Sequence, residues 1–109
     1  MNHTIIRGDQ FIADVYGRAR WYAREAGLEV AQKFERAVAA TVLRLARNPT
    51  VGRLLRFKHP NLMGLRSLPS APPFGNILIF YRVEGMNVYV FRLMHGARDL
   101  GRRLLEPND

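Results

Sequence analysis

The sequence predicts an α+β domain: an N-terminal strand, an antiparallel helical hairpin packed on a mainly antiparallel sheet, and a short C-terminal helix. Three observations carry that expectation. Apolar residues between Phe11 and Leu45 recur at spacings of three and four, in two blocks divided by Gly27. Beyond Asn48-Pro49 the helical period stops, and short β-branched and aromatic runs take over. The helical blocks precede the run of strands and do not alternate with it, which argues against a parallel sheet wound with helices. A chain of 109 residues fits one domain spanning residues 1–109.

The elements follow in order. His3 to Gly8, "HTIIRG", is short and partly β-branched and reads as a strand, and Asp9 is placed to cap the helix after it. Phe11, Ile12, Val15, Tyr16, Ala19, Tyr22, Ala23 and Ala26 form one apolar face. A second helix starts near Leu28, with Glu29 favourably placed at its positive end. Ala31, Phe34, Val38, Val42 and Leu45 carry its face, and Thr41 is the one polar residue at the edge of it. Asn48-Pro49 ends this helix, because proline pushes the preceding residue out of helical conformation. The short break at Gly27 makes the two helices antiparallel neighbours.

Asn48 to Asn61 reads as a loop, followed by a short strand around Leu65 and the linker "APPF". "NILIFYRV", Asn76 to Val83, is apolar on both faces until Arg82, as a central strand should be. Glu84-Gly85 signals a turn into the strand "MNVYVFRLM". Asp99 is placed as the N-cap of a terminal helix running to Leu104. Tyr16, Tyr81 and Tyr89 follow apolar periodicities and are expected in the core.

Charge is the first functional clue. The formal net charge is +8, and fifteen of the seventeen basic residues are arginine. From Arg36 to Val83 no acidic residue interrupts eight basic ones. Arginine forks onto phosphate and carboxylate and stacks on flat rings, so this bias favours an anionic partner, either nucleic acid or an acidic protein. The absence of cysteine excludes disulfides, thiolate metal sites and cysteine nucleophiles. His3, His59 and His95 lack the spacing of a metal site, so neither metal nor cofactor is expected. No apolar run approaches the length of a membrane span, and no signal peptide is read, so the expected setting is the cytoplasm, with no membrane partner.

"NPTVGR", "LRSL", "FGNILIFYRV" and "FRLMHGARDL", in this order and spacing, resemble the RelE/ParE toxin superfamily of type II toxin–antitoxin systems, closest to ParE. The resemblance spans nearly the whole chain. It implies a small basic toxin held in a hetero-oligomer with a cognate ParD-like antitoxin. For ParE-like members it implies inhibition of DNA gyrase and so of replication. For RelE-like members it implies ribosome-dependent cleavage of mRNA. A third reading is a non-toxic binding module that acts with an antitoxin in operon repression.

The nuclease reading makes a chemical demand: a base, an acid and cations around one phosphate. His95, Arg66, Arg82 and Arg98 are its candidates. RelE-like nucleases often carry a tyrosine after the last strand, and "GARDLGRRLLEPND" has none. His95 and Gly96 read first as a tight strand-to-helix turn, a commoner role for such a histidine than catalysis, with glycine supplying a backbone angle that other residues resist. Arg98 pairs with a carboxylate such as Asp14 or Glu84, or reaches outward to a target. For a binding toxin, Arg53, Arg56, Lys58, Arg66, Arg82 and Arg98 are the target- or nucleic-acid-contacting candidates. Trp21, with Arg20 and Arg24, is the candidate antitoxin contact, because exposed tryptophan and arginine are typical interface anchors; the alternative reading places Trp21 at the edge of the core.

Overall fold

A computed structural model describes residues 2–96 and 100–106. Strand β1 (Thr4–Arg7) leads into α1 (Asp9–Ala26) and α2 (Leu28–Arg47). Strand β2 (Arg53–Leu54), a single 3-10 turn (Pro60–Leu62), β3 (Leu65–Pro69), β4 (Ile77–Glu84) and β5 (Asn87–His95) follow, and α3 (Leu100–Leu105) closes the described chain. The strands form one sheet in the order β1-β5-β4-β3-β2. β1 runs parallel to β5 and every other pairing is antiparallel.

β4 lies at the centre of the sheet, as its two apolar faces require. Its alternate residues divide the interior in two. Ile77, Ile79 and Tyr81 meet Phe11, Phe34, Val38, Val42 and Leu45 of the helical hairpin. Leu78 and Phe80 meet Leu62, Leu65, Met94 and Leu104 on the opposite face, where α3 packs. Both faces are therefore covered at mid-sheet. The β4–β5 register shifts between Phe80 and Tyr81, whose partners are Arg92 and Val90, so Phe91 is the extra residue of a bulge.

Four expectations need correction. Asp9 is not the cap of α1: Gly8 stands there, and Asp9 is the first helical residue. The Gly8 N–H still bonds Val90 O at 2.9 Å in the sheet while its carbonyl already accepts the first helical bond from the Ile12 N–H at 3.0 Å, so the helix starts one residue earlier than expected. Tyr16 is 64% exposed, because α1 packs on α2 and β5 and its apolar arc is wider than the surface those two cover. Tyr89 is exposed too, on the sheet face away from the hairpin and beyond the cluster around Leu104. The segment after Asn48 is not all loop, since Arg53 and Leu54 pair with Ser67 and Arg66 as a short edge strand. The expected cap at Asp99 lies outside the described residues.

Candidate functional site

The "NPTVGR" segment is held by an unusually close packing. The Gly52 N–H donates to Tyr81 Oη at 2.8 Å across the interior. A side chain at position 52 would place its Cβ 2.5 Å from that oxygen and 2.8 Å from Ser67 O, so only glycine fits. Burial pushes the Tyr81 phenol up from its ordinary value, against the lowering effects of the Gly52 bond and of the Arg66 and Arg44 charges. Arg66 then binds the same segment from outside, donating from Nη1 to Gly52 O at 3.0 Å and Thr50 O at 3.4 Å. Arg82 performs the matching task on the next loop: Nε donates to Met63 O at 2.9 Å and Nη2 to Asn61 O at 2.8 Å. Arg53, Arg56 and Lys58 between them are exposed.

A second polar centre lies at the far end of the sheet. Arg92 is buried on β5, with Nε 2.7 Å from Asp14 Oδ2 and Nη2 3.2 Å from Asp14 Oδ1. Its Nη1 donates to Glu106 O at 2.6 Å and Arg103 O at 3.4 Å, which holds the end of α3. Arg103 returns a bond from Nη2 to His95 O at 3.0 Å. The His95 side chain is exposed. Gly96 has φ +82°, a left-handed turn where a Cβ would strain the backbone, and its N–H bonds Asn76 O at 3.0 Å. Gly96 thus bends the chain off the end of β5, where His95 is still paired with Ile77.

An open groove of about 500 Å³ runs between α1 and this end of the sheet, lined in part by Gly17, Arg18, Trp21, Arg24, His95 and Arg103. The Arg18 guanidinium sits 5.0 Å from the centre of the Trp21 ring. Trp21 and Arg24 therefore share a site with His95. Arg20 does not line it: it lies 5.6 Å over Tyr16, continuing an exposed row of Ile12, Tyr16 and Arg20 along α1.

The nuclease candidates are not brought together. His95 pairs with Ile77 at one end of β4, whereas Arg82 is five residues further on, roughly 16 Å at about 3.3 Å per residue. Arg66 pairs with Tyr81 and so faces the hairpin, while Arg82 points to the other face. Arg98 lies outside the described residues. Among the described residues no cluster of three or more histidine or acidic side chains is placed to hold a metal.

Residues 5–100 match the family described as ParE toxin of type II toxin–antitoxin system, parDE. The chain belongs to the ParE toxin family. Structures of two toxin–antitoxin systems share its fold. A chain of the chromosomal ParDE system from P. aeruginosa superposes with a TM-score of 0.71 at 21% identity, covering 87% of this chain and 97% of that one. A chain of the RelBE2 complex from Mycobacterium tuberculosis gives 0.60 at 19% identity, covering 87% and 99%. A sequence search of curated proteins gave no match. No helix among the described residues of this ParE-family toxin is long and apolar enough to cross a membrane.

The sequence did not single out Arg92, and set Asp14 or Glu84 as the partner of Arg98. The structure joins Asp14 to Arg92, whose side chain reaches it from the bulged strand. A signal was present: Arg92 is the one charge in "VYVFRLM", and Asp14 lies beside the apolar face of α1. Two opposite charges, each set in an apolar segment, invite pairing because neither is easily buried alone.

Proposed function

We propose that this toxin inhibits DNA gyrase by binding, and that an acidic antitoxin segment silences it by lying along α1. The distribution of the cations supports binding over cleavage. Arg66 and Arg82 lie on opposite faces of the sheet, each engaged with carbonyls of its own loops, and His95 stands strands' length away from Arg82. Among the described residues, a phosphate seated at Arg66, Arg82 or His95 therefore lacks the other two, so these three do not surround a single bond as base, acid and cation. Exposed Arg53, Arg56 and Lys58 remain as a basic surface for gyrase or its DNA.

The antitoxin contact is assigned to Ile12, Tyr16 and Arg20, which combine apolar surface with positive charge on successive turns of α1. A shallow apolar groove between the helices, lined by Phe11, Val15, Val38 and Val42, runs beside them. An acidic segment folding as it binds would lay its apolar side there and its carboxylates against arginine. The test is gyrase supercoiling with purified toxin, expected to be lost on addition and restored by antitoxin. Unchanged supercoiling at saturating toxin overturns the target, and transcripts cut on ribosomes would replace binding with cleavage.

A further inference from the structure

The groove between α1 and the end of β5 has a composition that neither gyrase inhibition nor the antitoxin contact on α1 accounts for. Its one large exposed apolar surface is the Trp21 ring, 42% exposed. Leu93 and Met94 also border it, but both are buried. Around the ring stand Arg18 and Arg24 from α1. Gly17 has nothing within 4 Å of where a Cβ would lie, so the groove floor is open beside the ring. The volume of about 500 Å³ falls in the range of small-ligand sites. Among the described residues Arg24 forms no ion pair.

We infer that this groove binds an unpaired nucleobase together with its phosphate, the base stacking on Trp21 and the phosphate held by Arg18 and Arg24. A flat ring beside arginines is the chemistry by which proteins hold bases without reading their sequence. The Arg18 guanidinium lies over the Trp21 ring, 5.0 Å from its centre, so a base stacking on that face displaces it to the ring's edge, where it meets the phosphate. An acidic protein segment fits less well, because a helix needs a row of apolar contacts and this groove offers one ring. The base and phosphate come from either a free nucleotide or a single strand, and those two sources share the site.

The chain contains a single tryptophan, so its fluorescence reports this groove alone. The purified full chain is titrated with ATP, inorganic triphosphate, single-stranded hexathymidylate and polyglutamate. Saturable quenching by the base-bearing ligands is expected, with triphosphate weaker by roughly tenfold or more, since stacking supplies much of the affinity. ATP binding as tightly as the hexamer assigns a free nucleotide, and tighter binding of the hexamer assigns a strand. Arg24→Glu, on the exposed surface, should weaken binding about tenfold while circular dichroism stays unchanged. Anisotropy of labelled hexamer should show Trp21→Phe close to the parent and Trp21→Ala weaker by about tenfold. Triphosphate binding as well as ATP, polyglutamate matching the hexamer, or affinity indifferent to Arg24→Glu overturns the inference. These readouts do not involve gyrase, so they stand or fall separately from the proposed target.

Discussion

Asp14 and Arg92 meet where β1 runs out. β1 pairs with β5 only as far as Val90, and beyond it the edge of β5 would be open. The Asp14 carboxylate closes that edge: Oδ2 accepts from the Leu93 N–H at 3.0 Å and from Arg92 Nε at 2.7 Å. Both side chains are more than nine-tenths buried. Removing one partner of such a pair leaves a buried charge uncompensated and costs about 3–5 kcal/mol. Asp14→Ala is therefore expected to lower the urea midpoint by a large fraction of the total stability. Asp14→Ala with Arg92→Met should cost less than the sum of the two single changes, because the orphaned charge is gone. A cost below about 1 kcal/mol for Asp14→Ala would show that water replaces the carboxylate there.

Tyr81→Phe removes the acceptor of the Gly52 N–H without changing the packed ring. The buried donor left behind should cost about 1–3 kcal/mol. The same phenol gives the stability a pH dependence with a definite sign. Its pKa is raised in the folded chain by burial, so the unfolded chain loses the proton first as pH rises. Deprotonation thus favours the unfolded state. This stability is fully present below the ordinary tyrosine value near 10 and is lost as pH rises from there through the higher folded value. Urea melts of the parent at pH 8 and about 11 should show the loss, and Tyr81→Phe should show less of it. An identical alkaline loss in both proteins would assign it to other groups.

These two centres mark where the sequence was legible and where it was not. Elements with a regular period were readable: the helices divided at Gly27, the stop at Asn48-Pro49, the central strand from Ile77 and the turn into β5. Arg66 and Arg82 were identified as important cations but read as pointing at a ligand. A sequence displays a side chain's charge, whereas its partners here are backbone carbonyls at 50, 52, 61 and 63, set by how the loops fold back. Asp9 misled for a related reason: the Gly8 carbonyl already accepts the first helical bond, from the Ile12 N–H, so the chain enters the helix before the good capping residue. Trp21 and Arg24 share a groove with His95, seventy residues away in sequence or more. Arg20, adjacent to Trp21, faces elsewhere because one helical residue is a turn of about 100°.

Thr41 shows a buried polar residue that the periodicity located but could not explain. Its Oγ1 donates to Ala37 O at 2.7 Å and accepts from the Ala71 N–H at 3.0 Å. It thereby ties α2 to the linker between β3 and β4. Thr41→Val keeps the volume and the branching but leaves the Ala71 N–H without its acceptor. A cost of about 1–2 kcal/mol is expected, with faster amide exchange at Ala71 as the local signature. Unchanged exchange at Ala71 would mean that the linker holds without this bond.

Arg82 offers a substitution that separates geometry from charge. Its fork reaches two carbonyls, Asn61 O and Met63 O, that lie on either side of Leu62, a fully buried residue of the α3-side cluster. Lysine keeps the charge but has no planar fork, and its single ammonium cannot reproduce both directions. If Arg82 holds the loop, Arg82→Lys and Arg82→Ala should be destabilised by similar amounts, about 1–2 kcal/mol, and both should speed amide exchange at Leu62 and Met63. If Arg82 instead serves a target through its charge, Arg82→Lys should keep the proposed inhibition of gyrase and Arg82→Ala should lose it at equal stability. Thermal melting beside a supercoiling assay distinguishes the two. The expected result is parallel loss of stability in both variants, with inhibition following the folded fraction rather than the charge at position 82.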